Sequence, residues 1–197
     1  MGVADRRNRE RAEREKRITA AARQIAASEG WAAVTIRRLA DEIEYSQPVL
    51  YSHFANRDAI VAAVAVEGFR DIAAAIRRAV QGAADSDAAP RNAALAYMNF
   101  ARANPALYEA MFSMPTGLHF AVGDIEPELR EAFAALAAVV TPRAGDADVI
   151  TETFWASLHG LAELERSGRI AQDLRDERVA LVVDCLLQHA QGETGKA

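Results

Sequence analysis

From Ile18 onward apolar residues recur three and four positions apart, and this spacing, not strict alternation, governs the chain. Ile18, Ala21, Ala22, Ile25 and Ala26 share one face of a helix over residues 14 to 29, which Gly30 ends as a natural C-terminal residue. Glu10 with Arg14 and Glu13 with Arg17 stand four apart with the acid first, an order that extends this helix back towards Asp5. Trp31 and Val34 follow as apolar plugs. Thr35 then caps a short helix, Ile36 to Ile43, with Ile36, Leu39, Ala40 and Ile43 on one side. In "YSQPVLYSHF" the proline marks a helix start: its φ is preset, and the N–H it lacks has no partner in a first turn anyway. Ser46 is the expected N-cap, its side chain accepting from an amide two or three residues on, with Gln47 and Pro48 opening a third helix that ends near His53. A helix so short does not hold itself in water, so its neighbours must carry it, with Val49, Leu50 and Phe54 as apolar contacts.

The same period continues to the end. Asn56 caps a helix from Arg57 to about Val80, apolar on more than one side through Ile60, Val61, Val64, Phe69, Ile72 and Ile76. "QGAADSDAAP" breaks it as a loop, and "NP" separates helices at Arg91 to Ala103 and Pro105 to Phe112. An irregular stretch, "SMPTGLHFAVGDIEP", precedes a helix from Glu128 to Val140 that ends before Pro142. Ala147 to Arg166, stopped by Gly168, and Leu174 to about Gln191 complete the pattern; Val179, Val182, Val183, Leu186, Leu187 and Ala190 form a continuous stripe along the last helix. No strand pattern and no repeat is found. The expectation is an all-α chain of about nine helices. An N-terminal three-helix helix-turn-helix domain occupies residues 1–56, with a basic extension, and a larger helical domain occupies residues 57–197.

Charge narrows the function. The 197 residues carry a net charge of −5, which overall speaks against nucleic acid, yet residues 1–60 hold 11 Lys/Arg against 9 Asp/Glu. Within residues 1–23 the surplus is 8 to 4, the kind that phosphate neutralisation uses. The stretch Arg6 to Arg17 is either an arm reaching an adjacent minor groove, a source of non-specific affinity, or a flexible tail without contacts. Three short helices sharing one core are the layout in which the last lies in the DNA major groove and the one before it braces across the backbone. No apolar run approaches a bilayer's thickness and the first seventeen residues are too charged for a signal peptide, so a cytoplasmic protein is expected. The single cysteine, Cys185, cannot form an internal disulfide and reads as a buried small hydrophobe. GxSxG, HExxH, Walker and clustered-cysteine patterns are absent, so neither an enzyme nor a cofactor is expected. His159 and Glu163 lie one helical turn apart, but two ligands without a third do not make a metal site.

"TIRRLADEIEYSQPVLYSHFANRDAIVAAV", Thr35 to Val64, resembles the DNA-binding segment of the TetR-like transcriptional repressors, and "RITAAARQIAASEGW" is similar to that family's first helix. "FWASLHGLAELE", with Trp155, His159 and Gly160, is similar to a signature seen in one subset of the family's C-terminal domains. The sequence departs from the pattern at Glu44, where glycine is usual, and at Tyr45, where a smaller aliphatic is usual. Glu44 implies either a strained turn or one that avoids positive φ.

The resemblance implies a homodimeric, effector-released repressor on a palindromic double-stranded DNA operator. Its last two helices would pair with their copies, and an effector would act by tilting the fourth helix. Ser46, Gln47, Pro48 and Val49 lead the reading helix, with Gln47 suited to adenine and Pro48 and Val49 to a thymine methyl. Tyr51, His53 and Arg57 resemble the family's phosphate contacts, and Thr35 and Arg37 open the second helix in a position to do the same, while Arg38 faces solvent. Tyr97, Phe100, Tyr108, Met111, Phe112, Phe120, Trp155 and His159 are candidates to line a mostly apolar pocket for a small effector, although most such side chains are ordinary core. The contrasting reading is an all-α small-molecule- or metal-binding module whose helix-turn-helix is only structural.

Overall fold

The computed structural model of the chain describes residues 2–120, 123–140 and 147–194. Among them are nine α-helices, one short 3-10 turn and no strand. The helices are α1 (Val3–Glu29), α2 (Ile36–Glu42), α3 (Gln47–His53), α4 (Arg57–Gln81) and α5 (Ala89–Ala103), then α6 (Pro105–Phe112), α7 (Pro127–Val140), α8 (Ala147–Arg166) and α9 (Arg175–Thr194). The 3-10 turn is Trp31–Ala33, immediately after α1. Helix starts and stops follow the local chemistry. Gly30 ends α1 at φ 82°, Asn56 accepts the Ala59 amide at 2.8 Å to open α4, and Pro105 stands at the first position of α6.

The chain forms two compact units, Met1–Gly68 with Asn104–Asp124, and Phe69–Ala103 with Ile125–Ala197. Helix α4 begins at Arg57 and runs unbroken past Gly68, and its first half belongs to the first unit together with α6. In that unit Ile18, Ile25, Val34, Leu39, Leu50, Ile60 and Val64 are buried, and α6 adds Leu107 and Met111. Two observations explain why α6 sits here. The Trp31 indole donates to the Ala106 carbonyl at 2.8 Å, and a Cβ on Gly68 would come 2.6 Å from Met111 Sδ. Only a glycine lets α6 approach α4 so closely.

The second unit buries Ile72, Ile76, Tyr97, Met98, Leu136, Val139, Phe154, Leu158 and Val179. Arg70 meets Glu128 at 2.6 Å and Arg77 meets Glu131 at 3.3 Å, tying α4 to α7. The Arg70 guanidinium holds the Glu128 carboxyl below the usual carboxylate range. Glu165 on α8 is buried and accepts from Arg175, itself buried, and from Arg178 at 3.3 Å. A charge at that depth is tolerated only because both carboxylate oxygens are paired.

Three expectations change. Ser46 makes no side-chain cap: the Val49 amide bonds the Ser46 backbone carbonyl at 3.0 Å, and the Pro48 residue before it has no amide to offer. Glu10 and Glu15 pair with Arg6 and Arg11, not in the register Glu10 to Arg14. Cys185 is exposed, because α9 buries its Val179 and Val183 side and Cys185 lies off that stripe. The side chains of Leu187 and Ala190, and Pro142, lie outside the described residues.

Candidate nucleic-acid interface

The turn joining α2 to α3 is made at Glu44, whose φ of 56° is in the left-handed region. Of the two possibilities for this non-glycine turn, the strained one is realised. It closes with the Ile43 amide on the Leu39 carbonyl at 3.1 Å and the Tyr45 amide on the Ala40 carbonyl at 3.0 Å. Tyr45 then meets α1: Arg17 donates to its hydroxyl at 3.1 Å, with the guanidinium 5.1 Å from the ring centroid. The larger residue at this position is therefore matched by a cation that lies over it.

Within α3, Leu50 has no exposed surface and anchors the helix, whereas Ser46, Gln47 and Pro48 are exposed, Val49 is half-buried and Tyr51 is 54% exposed. One apolar side chain thus holds a helix whose N-terminal end faces water. Thr35 accepts the Arg38 amide at 3.1 Å and opens α2, so Thr35 and Arg37 stand together, both exposed, at a helix N-terminus. Arg37 reaches Asp41 only at 4.0 Å across solvent, a pair worth little. Arg38 does not simply face solvent: it bridges Glu42 on its own helix and Glu29 of α1.

His53 and Arg57 are placed differently from those residues. The His53 side chain is 5% exposed, with Nδ1 3.2 Å from a Glu15 carboxylate oxygen. Arg57 donates from Nε to the Val34 carbonyl at 2.8 Å and from Nη2 to the Trp31 carbonyl at 2.7 Å. His53 Nδ1 and Arg57 Nε and Nη2 are thus engaged within the unit, at residues where the resemblance expects phosphate contacts. The basic stretch Arg6 to Arg17 is part of helix α1, not a flexible tail, and Arg11 donates to the Ser52 carbonyl at 3.3 Å.

The pocket candidates divide between the two units. In the first, Tyr108 and Met111 are buried, Phe112 lies 4.7 Å from Tyr108, and Phe120 is 42% exposed with its ring 6.3 Å from Phe112. In the second, Tyr97 and Phe100 are buried, Trp155 donates to the Tyr97 hydroxyl at 3.2 Å, and the Trp155 ring is 6.5 Å from His159. Burial pushes the half-buried His159 below the ordinary histidine value, against the opposing pull of Glu163. Among the described residues no cluster of three His, Cys, Asp or Glu can hold a metal ion, and no helix is long and apolar enough to cross a membrane.

Residues 18–64 match the family described as bacterial regulatory proteins, tetR family, and residues 90–186 match the tetracyclin repressor-like C-terminal domain. An uncharacterized HTH-type transcriptional regulator of Mycobacterium tuberculosis is 32% identical over 171 residues, covering 83% of this chain and 74% of its own. The chain belongs to the TetR family of transcriptional regulators. A Rhodococcus protein of unknown function shares the fold at TM-score 0.72 and 26% identity, covering 89% of this chain and 94% of its own. A TetR-family transcriptional regulator of Pectobacterium atrosepticum shares it at TM-score 0.69 and 18% identity, covering 93% and 95%. The helix-turn-helix of this TetR-family regulator is a DNA-binding element.

Sequence reasoning missed the polar supports of the TetR head. The Thr19 hydroxyl on α1 donates to Glu67 on α4 at 2.6 Å, and Arg23 approaches the other Glu67 oxygen at 3.5 Å. A polar residue on the inner face of α1, directly beside Ile18, was the available signal for a partner on another helix.

Proposed function

We propose that this TetR-family regulator represses transcription from a palindromic operator and is released by a small, mostly apolar effector. The observation that carries the reading is the division of labour in α3, where Leu50 is fully buried and Gln47, Pro48 and Tyr51 are exposed around it. Gln47 offers an amide for adenine N6 and N7, Pro48 and Val49 offer apolar contact to a thymine methyl, and Tyr51, Thr35 and Arg37 reach phosphates. Ser46, with its hydroxyl not used as a cap, is available beside them. His53 and Arg57 serve the site by fixing the head, His53 through Glu15 and Arg57 through the two carbonyls beneath α2.

One reading helix covers few base pairs, so specificity calls for two heads about one helical turn apart. Pairing of α8 and α9 with their copies is supported by Leu164 (39% exposed), Leu174 (51%) and Leu181 (64%), large apolar side chains left at the surface of this region. The effector is supported by the aromatic residues Tyr97, Phe100 and Trp155 beside His159, and by Tyr108, Met111, Phe112 and Phe120. Whatever binds must prefer one state of the head over the other to release DNA. The protein works in the cytoplasm as a binder, not as an enzyme.

An anisotropy titration with duplexes from the DNA flanking the protein's own gene, at a stated salt concentration, tests this reading. The expected result is a duplex bound about a thousandfold more tightly than random sequence, at two protomers per site. Equal affinity for all duplexes would overturn it.

A further inference from the structure

Helix α1 extends well beyond the core it helps to build. From Asp5 onward its first buried side chain is Ile18, yet the helix begins at Val3. It passes the turn before α3 and then α3 itself: Arg17 meets Tyr45 at 3.1 Å, Glu15 meets His53 at 3.2 Å and Arg11 meets the Ser52 carbonyl at 3.3 Å. The segment from residue 3 to residue 10 lies past the last of these contacts, about 12 Å of further helix. That overhang is a structural oddity, because every residue from Asp5 to Arg14 is exposed.

The pattern of charge along it is not random. Arg7, Arg11, Arg14 and Ile18 follow at steps of four, three and four and so share one face. This is the face that continues into the buried Ala22 and Ile25 and through which Arg11 touches α3. Glu10, three residues from Arg7 and four from Arg14, borders this face and pairs instead with Arg6 at 3.6 Å, while Glu15 is held by Arg11 and His53. Arg7 and Arg14 have no ion-pair or hydrogen-bond partner among the described residues. Two unneutralised guanidinium groups thus flank the one that is fixed against the C-terminal end of the reading helix.

We propose that the Arg7 and Arg14 face of α1 is a second DNA contact, a rigid cationic ridge that binds backbone phosphates just outside the bases read by α3. It rests on the DNA-binding reading of the head and adds to it an element that supplies affinity without sequence preference. Being helical and pinned through Arg11, it acts as a fixed extension of α3, and Arg11 is its positioning residue. Lys16 lies on the opposite side of α1 and takes no part.

The test compares the full chain with R7A/R14A, K16A and R11A by anisotropy on operator and random duplexes over a range of salt. R7A/R14A keeps the helix, since alanine is the strongest helix former and both sites are exposed; circular dichroism checks this. The slope of log affinity against log salt is expected to shrink by about 0.9 for each arginine lost per protomer, with similar weakening on both duplexes and an unchanged specificity ratio. K16A is expected to leave the slope as it was, and R11A to lower operator affinity through misplacement of the ridge. An unaltered slope in R7A/R14A, or an equal change in K16A, overturns the ridge while leaving the α3 reading intact. Absence of operator binding by the unaltered protein overturns the α3 reading itself, and the ridge with it.

Discussion

The Arg57 side chain reaches under α2 to the Val34 carbonyl, 2.8 Å from its Nε, so that the first residue of α4 is bolted to the last residue before Thr35. The same guanidinium holds the Trp31 carbonyl at 2.7 Å. Both carbonyls lie in the segment between α1 and α2, where the Trp31 carbonyl also accepts the Val34 amide at 3.2 Å within the 3-10 turn, and a planar fork with several donors is suited to holding two carbonyls at once. R57A is therefore expected to lower stability by about 2 kcal/mol, the scale of charge-assisted hydrogen bonds to groups left partly buried. R57K, with a point charge in place of the fork, is expected to recover less than half. Urea denaturation of the three proteins checks both.

Gly68 makes the approach of α4 and α6 possible. A methyl group there would lie 2.6 Å from Met111 Sδ, 2.8 Å from its Cγ and 3.0 Å from Leu107 Cδ1, and Met111 is buried. G68A is expected to cost about 1–3 kcal/mol, as overpacking does. The double variant G68A/M111A is expected to be less destabilised than the sum of the two single changes, because the smaller side chain frees the space the methyl needs.

At Glu44 the expectation has the opposite sign. A non-glycine residue at φ 56° carries a cost of about 1–2 kcal/mol, and a glycine relieves it at a loss of about 0.4–1 kcal/mol from its greater freedom in the unfolded chain. E44G is thus expected to raise stability by a few tenths of a kcal/mol to about 1, and E44V to lower it. Thermal melts of both variants read this directly.

His159 gives the second unit a pH dependence. Burial lowers its proton affinity in the folded state below the ordinary value, so the unfolded chain binds the proton more readily. Stability is fully present above the unfolded value, about 6.5, and falls as the pH drops through it towards the folded value. H159Q is expected to show a flatter stability profile between about pH 7 and pH 5 in denaturant titrations.

The helices were legible because their signals are local. Thr35, Gly30, Asn56 and Pro105 act on the few residues beside them, and the apolar period of α4, α5 and α8 identifies each as a helix from its own residues. What escaped the sequence depends on distant partners. Nothing near Arg57 says that its guanidinium will meet carbonyls 23 and 26 positions earlier, and nothing in Glu165 announces a buried pairing with Arg175 across the α8–α9 turn. Ser46 looked like a side-chain cap, but Pro48 removes one of the amides a cap would serve. Charge order alone paired Glu10 with Arg14, whereas in the fold Glu10 pairs with Arg6 and Arg14 stays exposed.

The most direct measurement is the affinity of Q47A/Y51A for the operator and for random duplex, set beside that of the unaltered protein at the same salt. These two exposed side chains stand four residues apart on one face of α3, the helix that the buried Leu50 holds in place. Their loss is expected to weaken operator binding by about a hundredfold or more with folding intact, on the scale of one base contact and one phosphate contact removed from each of two heads. Random-sequence binding should fall much less. Operator affinity within about twofold of the unaltered protein would contradict the account, since the groove would then be read by something other than α3.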